Sequence, residues 1–128
     1  MKNVYTWAAK PAKRSTTVGD LKEAKGKKKF TQVTANTVDE AAAAEKAGFD
    51  MIISNAKNII PVREGSKNLF LTAALVLNEF VTSDDIMRGA FKALENGADA
   101  VMTPRSMDIV EMLAKEAVSY THLRAHET

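Results

Sequence analysis

Asn36, Ser54, Asn55, Thr103 and Arg105 each follow a short apolar run. Polar groups at the ends of such runs are where loops on a rigid scaffold carry function. Arg105 directly precedes Ser106, the expected cap of a helix, so its guanidinium and the free backbone amides can together hold a carboxylate or a phosphate. Asn36, Ser54, Asn55 and Arg105 are therefore the candidate substrate-binding residues. Each residue type also serves as an ordinary turn or cap, and Arg105 is equally placed to pair with Asp108. No catalytic residue is assigned. Glu79 is the one carboxylate after its run that can replace a base, and its plainer reading is a solvated loop acid.

Other chemistries are excluded by what is missing. The 128 residues contain no Cys, which removes thiolate metal sites, disulfides and a cysteine nucleophile. Both histidines, His122 and His126, lie in the last segment, Val118-Ser-Tyr-Thr-His-Leu-Arg-Ala-His-Glu-Thr128. That segment resembles one reading frame of a transposon-end adapter and is read as a foreign tail. Setting it aside leaves no histidine for a triad or a zinc site, and no metal site is expected.

Composition gives a globular chain, 45% hydrophobic and 27% charged. Charge is uneven: residues 1–30 carry nine Lys/Arg against Asp20 and Glu23, whereas the remainder carries nine against fourteen acids. Such a basic leader attracts polyanions, but one Trp and one Tyr are not the aromatic interleaving that single-stranded nucleic-acid binders use. No nucleic-acid partner is expected. The longest apolar stretch, near residues 69–77, is too short for a membrane span, and a cytoplasmic protein without membrane contact is expected.

The elements that position the candidate residues emerge from an internal repeat. Ala44-x-x-x-Gly48-x-Asp50-x-Ile52 recurs as Ala93-x-x-x-Gly97-x-Asp99-x-Val101, an offset of 49 residues. Each copy reads as a helix end, a left-handed Gly turn, an Asp and a buried parallel strand. Thr37-Val38-Asp39-Glu40 has the form of a capping box before a helix over 41–47. The β-branched run 30–35 precedes it as a strand. A further strand near 69–75, a helix from Thr82 or Ser83, and a helix over 106–117 continue the alternation, with at most a brief helix around Pro61. Residues 17–26 read as a short capped helix. Met51, Met87, Met102, Met107 and Met112 fall on apolar faces and are expected to fill the core. The expectation is four βα units in a row, which make either the N-terminal half of a (β/α)8 TIM barrel or most of a small open sheet, and the alternation alone does not separate the two. The chain divides into a basic leader with a short helix (1–29), the βα region, a half barrel on the first of these readings (30–117), and the tail (118–128).

The leader Thr17-Val18-x-Asp20-Leu21-x-x-x-Lys25-Gly26-Lys27-x-Lys29, a strand ending Thr34-Ala35, and Glu45-x-Ala47-Gly48-x-Asp50-x-Ile52 together resemble the start of ketopantoate hydroxymethyltransferase. The resemblance runs over residues 17–117 and implies a divergent, C-terminally truncated member of the phosphoenolpyruvate mutase and isocitrate lyase type of barrel. It implies one-carbon transfer from methylenetetrahydrofolate to the 2-oxoacid 3-methyl-2-oxobutanoate in pantothenate biosynthesis, with Mg2+ polarising the oxoacid. It also implies a homo-oligomer. The family's metal-binding and basic positions fall on Ser54, Asn55 and Ala56, on Ala74 or Leu75, and on Met102 and Pro104, none of them acidic. The rival readings are a carbon–carbon lyase or mutase of the same superfamily acting on another oxoacid, and a non-catalytic barrel homologue. A half barrel has unpaired strand edges prone to association, so the 128-residue chain itself is expected to be inactive.

Overall fold

Three threonines stop extended segments and start helices. Thr17, Thr37 and Thr82 each accept, through Oγ1, the amide of the residue three positions on, at 3.2, 3.1 and 3.1 Å. At Thr17 and Thr82 the bond is reciprocated by Asp20 and Asp85, which accept the threonine amides at 2.9 and 3.2 Å. The box expected at Thr37 is only half made: Glu40 reaches one residue further back and accepts the Asn36 amide at 2.8 Å. That departure ties a candidate site residue to the helix it precedes.

Both capping aspartates sit below the usual carboxylate range. Asp20 is lowered chiefly by its hydrogen bond from Lys2, and Asp85 by the Thr82 amide. A depressed carboxylate contributes stability above its ordinary pKa and loses it as the pH falls through the folded value. Thermal unfolding followed by circular dichroism is thus expected to soften below about pH 4, and Asp85→Asn is expected to flatten part of that acid dependence. An unchanged acid limb in the variant would show that the cap contributes nothing.

The computed structural model describes residues 1–118. An antiparallel hairpin, β1 (Lys2–Tyr5) and β2 (Pro11–Arg14), leads into α1 (Val18–Glu23). Four βα units follow: β3 (Gln32–Thr34) with α2 (Val38–Ala47), β4 (Met51–Asn55) with α3 (Ile59–Gly65), β5 (Phe70–Ala74) with α4 (Ser83–Glu95), and β6 (Ala100–Met102) with α5 (Met107–Leu113). The four strands pair in parallel in the order β3-β4-β5-β6. This is the α/β architecture expected, a parallel sheet of βα units forming part of a barrel. Pro61 is tolerated because it falls in the first turn of α3, where no backbone donor is needed. From Ser119 onward the tail, with both histidines, lies outside the described residues.

The hairpin was not legible, for a local reason. Its turn puts Ala9 at φ 66°, without the Gly or Asn that marks such turns. It is held instead by Thr6, whose carbonyl accepts the Ala9 amide at 2.9 Å and whose hydroxyl accepts the Lys10 amide at 3.1 Å.

Register assigns the two faces of the sheet. Val33, Ile52 and Leu71 are level with one another and join the core with Ala41, Ala44, Ile59, Val62, Ala93 and Leu94 of the helices. The other face carries Met51, Ile53, Thr72, Ala74, Ala100 and Met102, half-buried or exposed. Two methionines expected in the core are therefore open: Met102 is 45% exposed and Met107 70%. Helices α2 and α3 cross closely at Gly65, where a Cβ would stand 2.2 Å from the Val38 carbonyl oxygen and 2.9 Å from Ala41 Cβ. Gly65→Ala is expected to cost about 1–3 kcal/mol, because a helical carbonyl cannot step aside. Urea unfolding that shows a gain, the usual result of Gly to Ala in a helix, would contradict this crossing.

The repeat is a structural latch. Gly48 and Gly97 cap their helices at φ 86° and 115°. Each following aspartate then grips the start of the neighbouring strand: Asp50 accepts the Thr31 amide at 2.9 Å, and Asp99 accepts the Leu71 amide at 3.0 Å. Asp99 does more. Arg14 Nε donates to both of its oxygens, at 3.0 and 2.9 Å, and Arg63 Nη2 donates to Oδ2 at 3.0 Å. Arg14 is 3% exposed, and burial lowers Arg63 to about 10 against the opposing pull of Asp99. The triad pins the hairpin beneath β5 and β6, at the amino ends of the strands.

Candidate functional site

At the carboxyl ends of the strands, polar side chains from successive loops join into a rim. Asn36 Oδ1 accepts the Asn55 amide at 2.9 Å and Asn58 Nδ2 at 3.1 Å, linking the loop after β3 to the loop after β4. Asn55 Oδ1 caps the turn Ala56–Asn58 by accepting the Lys57 amide at 3.0 Å. Its amide nitrogen donates onward to Glu79 Oε1 at 3.3 Å, and Lys57 Nζ donates to the same oxygen at 3.2 Å. Glu79 belongs to the loop after β5, which turns through the Glu79 and Phe80 amides bonding to the Val76 carbonyl. Phe80 anchors that loop by packing with Leu75, Ile86 and Ala90, over a space that Gly89 leaves free. Farther round, Arg105 Nη2 donates to the Val81 carbonyl at 2.8 Å, and the Arg105 amide to Thr103 Oγ1 at 3.3 Å. All four βα loops are thereby connected.

The structure thus brings Asn36 and Asn55 into direct contact and puts Arg105 on the same rim, bonded to the Val81 loop. Among the described residues no ion pair joins Arg105 to Asp108. Ser54 is placed apart from these three. It is 1% exposed, level with Ala73 on the strands' helix-facing side, and its hydroxyl reaches only the Asn55 carbonyl at 3.4 Å. Lys57 and Asn58 were missed in the sequence. Their signal was adjacency, because they follow Asn55 in the turn that begins at the strand end.

Among the described residues both donors to Glu79 take Oε1, which leaves Oε2 to meet a substrate hydroxyl or a carbon acid. The carboxylate can accept a proton, and the Lys57 ammonium can stabilise negative charge developing on oxygen. A hard cation such as Mg2+ needs several oxygen ligands. The rim does not fit it: Glu79 shares one oxygen with an ammonium, the Glu40 carboxylate accepts the Asn36 amide, Asn36 Oδ1 already accepts two hydrogen bonds, and no group of three acidic or imidazole side chains exists among the described residues.

A cavity of about 510 Å³ opens at the opposite end, lined by Val4, Trp7, Arg14, Phe70 and Leu94. Its charged groups are already paired, Arg14 with Asp99 and Lys2 with Asp20. It is a seam between hairpin and sheet, whereas the rim holds the groups with chemistry to spare. No helix among the described residues is long and apolar enough to cross a membrane.

Fold and rim together define a partial (β/α)8 barrel with its polar groups at the face where such barrels keep their active sites. Two solved structures share this fold. A deoxyribose-phosphate aldolase-like protein from Toxoplasma gondii ME49 superposes with a TM-score of 0.61 at 23% identity, over 86% of this chain and 52% of its own. A rubisco-like protein from Burkholderia fungorum superposes with a TM-score of 0.51 at 14% identity, over 81% of this chain and 33% of its own. The chain thus spans about half the length of the first and a third of the second. No family model and no curated protein matches. The resemblance to ketopantoate hydroxymethyltransferase is corrected by these findings, since none of the neighbours points to that enzyme. The reason is physical: Gly48-x-Asp50 is a helix cap and a strand latch, which βα units need whatever they catalyse.

Proposed function

We propose that the chain supplies half of the active-site rim of a barrel enzyme that makes or breaks a carbon–carbon bond next to a carbonyl, acting on a small 2-oxoacid or a related oxo compound. The observation that carries this is Glu79 at the strand ends, with Lys57 and Asn55 on one oxygen and the other open. The aldolase-like description of the first neighbour supports the same class. In the cleavage direction, Glu79 accepts the proton of a β-hydroxyl and the new aldehyde C=O forms as the carbon–carbon bond breaks. The bonding pair moves onto the adjacent carbonyl as an enolate, which Lys57 stabilises and which is finally protonated at carbon. Asn36, Asn55 and Arg105 bind the substrate's oxygens, Arg105 taking its carboxylate.

The test is an aldol-cleavage assay over a panel of 4-hydroxy-2-oxoacids. It uses the chain joined to the four further βα units that complete a barrel. Formation of aldehyde and oxoacid in equal amounts is expected; a folded barrel that cleaves no member of the panel would refute the proposal. The half rim alone is expected to bind without turnover.

A further inference from the structure

We propose that the cleft between hairpin and sheet binds a neutral aromatic molecule that carries one hydroxyl or carbonyl group. The inference goes beyond the enzymatic reading and stands without it, because the cleft holds a ligand and transforms nothing. Its volume of about 510 Å³ is that of ordinary small-molecule pockets, roughly 300–1,000 Å³. Packed interiors, by contrast, keep few voids larger than a water molecule.

The hairpin is pinned at points that hold this space open. At the end of β2, Arg14 is bonded to Asp99, and the next amide, that of Ser15, donates to the Asn68 carbonyl at 3.0 Å. β1 is fastened at its start by Lys2 on Asp20. Just beyond β1, Trp7 stacks on Phe91 of α4, with ring centroids 5.4 Å apart. A cleft kept open in this way spares a ligand the cost of ordering it.

The walls select the ligand. Val4, Trp7, Phe70 and Leu94 line the apolar part, and the two rings favour a flat aromatic partner. Because Arg14 and Lys2 already have their carboxylates, a charged ligand would leave water for a site with no counter-charge to offer. Thr16 assigns the polar end. It is 5% exposed, and among the described residues its hydroxyl makes no hydrogen bond, whereas those of Thr6 and Thr17 in the same wall take the Lys10 and Asp20 amides. A buried hydroxyl without a partner is disfavoured, and one ligand oxygen satisfies it. Thr16 also borders a smaller hollow of about 380 Å³ shared with Ser15, Asp20 and Lys28, so the ligand's polar end lies on that side and its ring toward Leu94.

Calorimetric titration of the 128-residue chain with 2-naphthol is expected to give saturable binding, with amide shifts at Trp7, Thr16 and Phe70. Naphthalene, without the hydroxyl, should bind about two- to tenfold more weakly, and 2-naphthoate should not bind measurably. Thr16→Val should erase the preference for 2-naphthol over naphthalene and Thr16→Ser should keep it, while Val4→Trp, which fills the cleft, should abolish binding of both. No saturable binding up to the solubility limit, a preference that survives Thr16→Val, shifts at the rim instead of the cleft, or tighter binding of 2-naphthoate would overturn the proposal. Should a variant fail to fold, the order of the three ligands on the unsubstituted chain still decides.

Discussion

Asp99→Ala is expected to be the most damaging single substitution in the molecule, with a loss of about 3–5 kcal/mol. That is a large share of the roughly 5–15 kcal/mol that holds a domain together. The carboxylate offsets two guanidiniums, Arg14 at 3% and Arg63 at 14% side-chain exposure, so its removal leaves two buried like charges opposed by backbone carbonyls and, at Arg63, by the more distant Glu45 carboxylate. It also frees the Leu71 amide at the start of β5 and the clamp on the hairpin. The repeat supplies an internal control. Asp50 makes the equivalent latch to exposed Thr31 without an arginine, and Asp50→Ala should cost about 1 kcal/mol. Equal urea midpoints for the two variants would show that the triad adds nothing to the latch.

The second large effect is on chemistry. Glu79→Gln keeps the side-chain volume and an oxygen that can accept from Asn55 and Lys57, but it cannot take a proton. In the completed barrel it should lower the cleavage rate by about 10²–10⁴-fold, the usual contribution of a positioned general base. Substrate KM should change little, because the binding groups are elsewhere, on Asn36, Asn55 and Arg105. A fall in affinity with an unchanged rate would make Glu79 a binding residue and remove the proposed base.

Local chemistry was legible in the sequence, and long-range chemistry was not. The threonine caps, the glycine turns and the apolar runs specify four βα units because each signal spans a few residues. The Arg14–Asp99 pair joins residues 85 apart, and no pattern announces it. Asn36 and Asn55 were visible as strand-end residues, yet their mutual bond and the convergence of Lys57 on Glu79 depend on how the strands align. Ser54 shows the limit of position alone. One residue before Asn55, the strand's alternation turns it toward the helices. The hydroxymethyltransferase resemblance failed for a related reason, since its motifs are the caps and latches of the fold and carry no catalytic group.

The central claim is that the chemistry of this chain lies at the carboxyl ends of its strands and not in the cleft beneath them. Amide chemical shifts recorded during titration with pyruvate, the simplest 2-oxoacid, separate the two ends directly. Saturable shifts at Asn36, Asn55, Lys57, Glu79 and Arg105, with Trp7, Arg14 and Phe70 unmoved, are the expected result. Shifts centred on Trp7, Arg14 and Phe70, or a rim that stays silent at the highest pyruvate concentration, would contradict it.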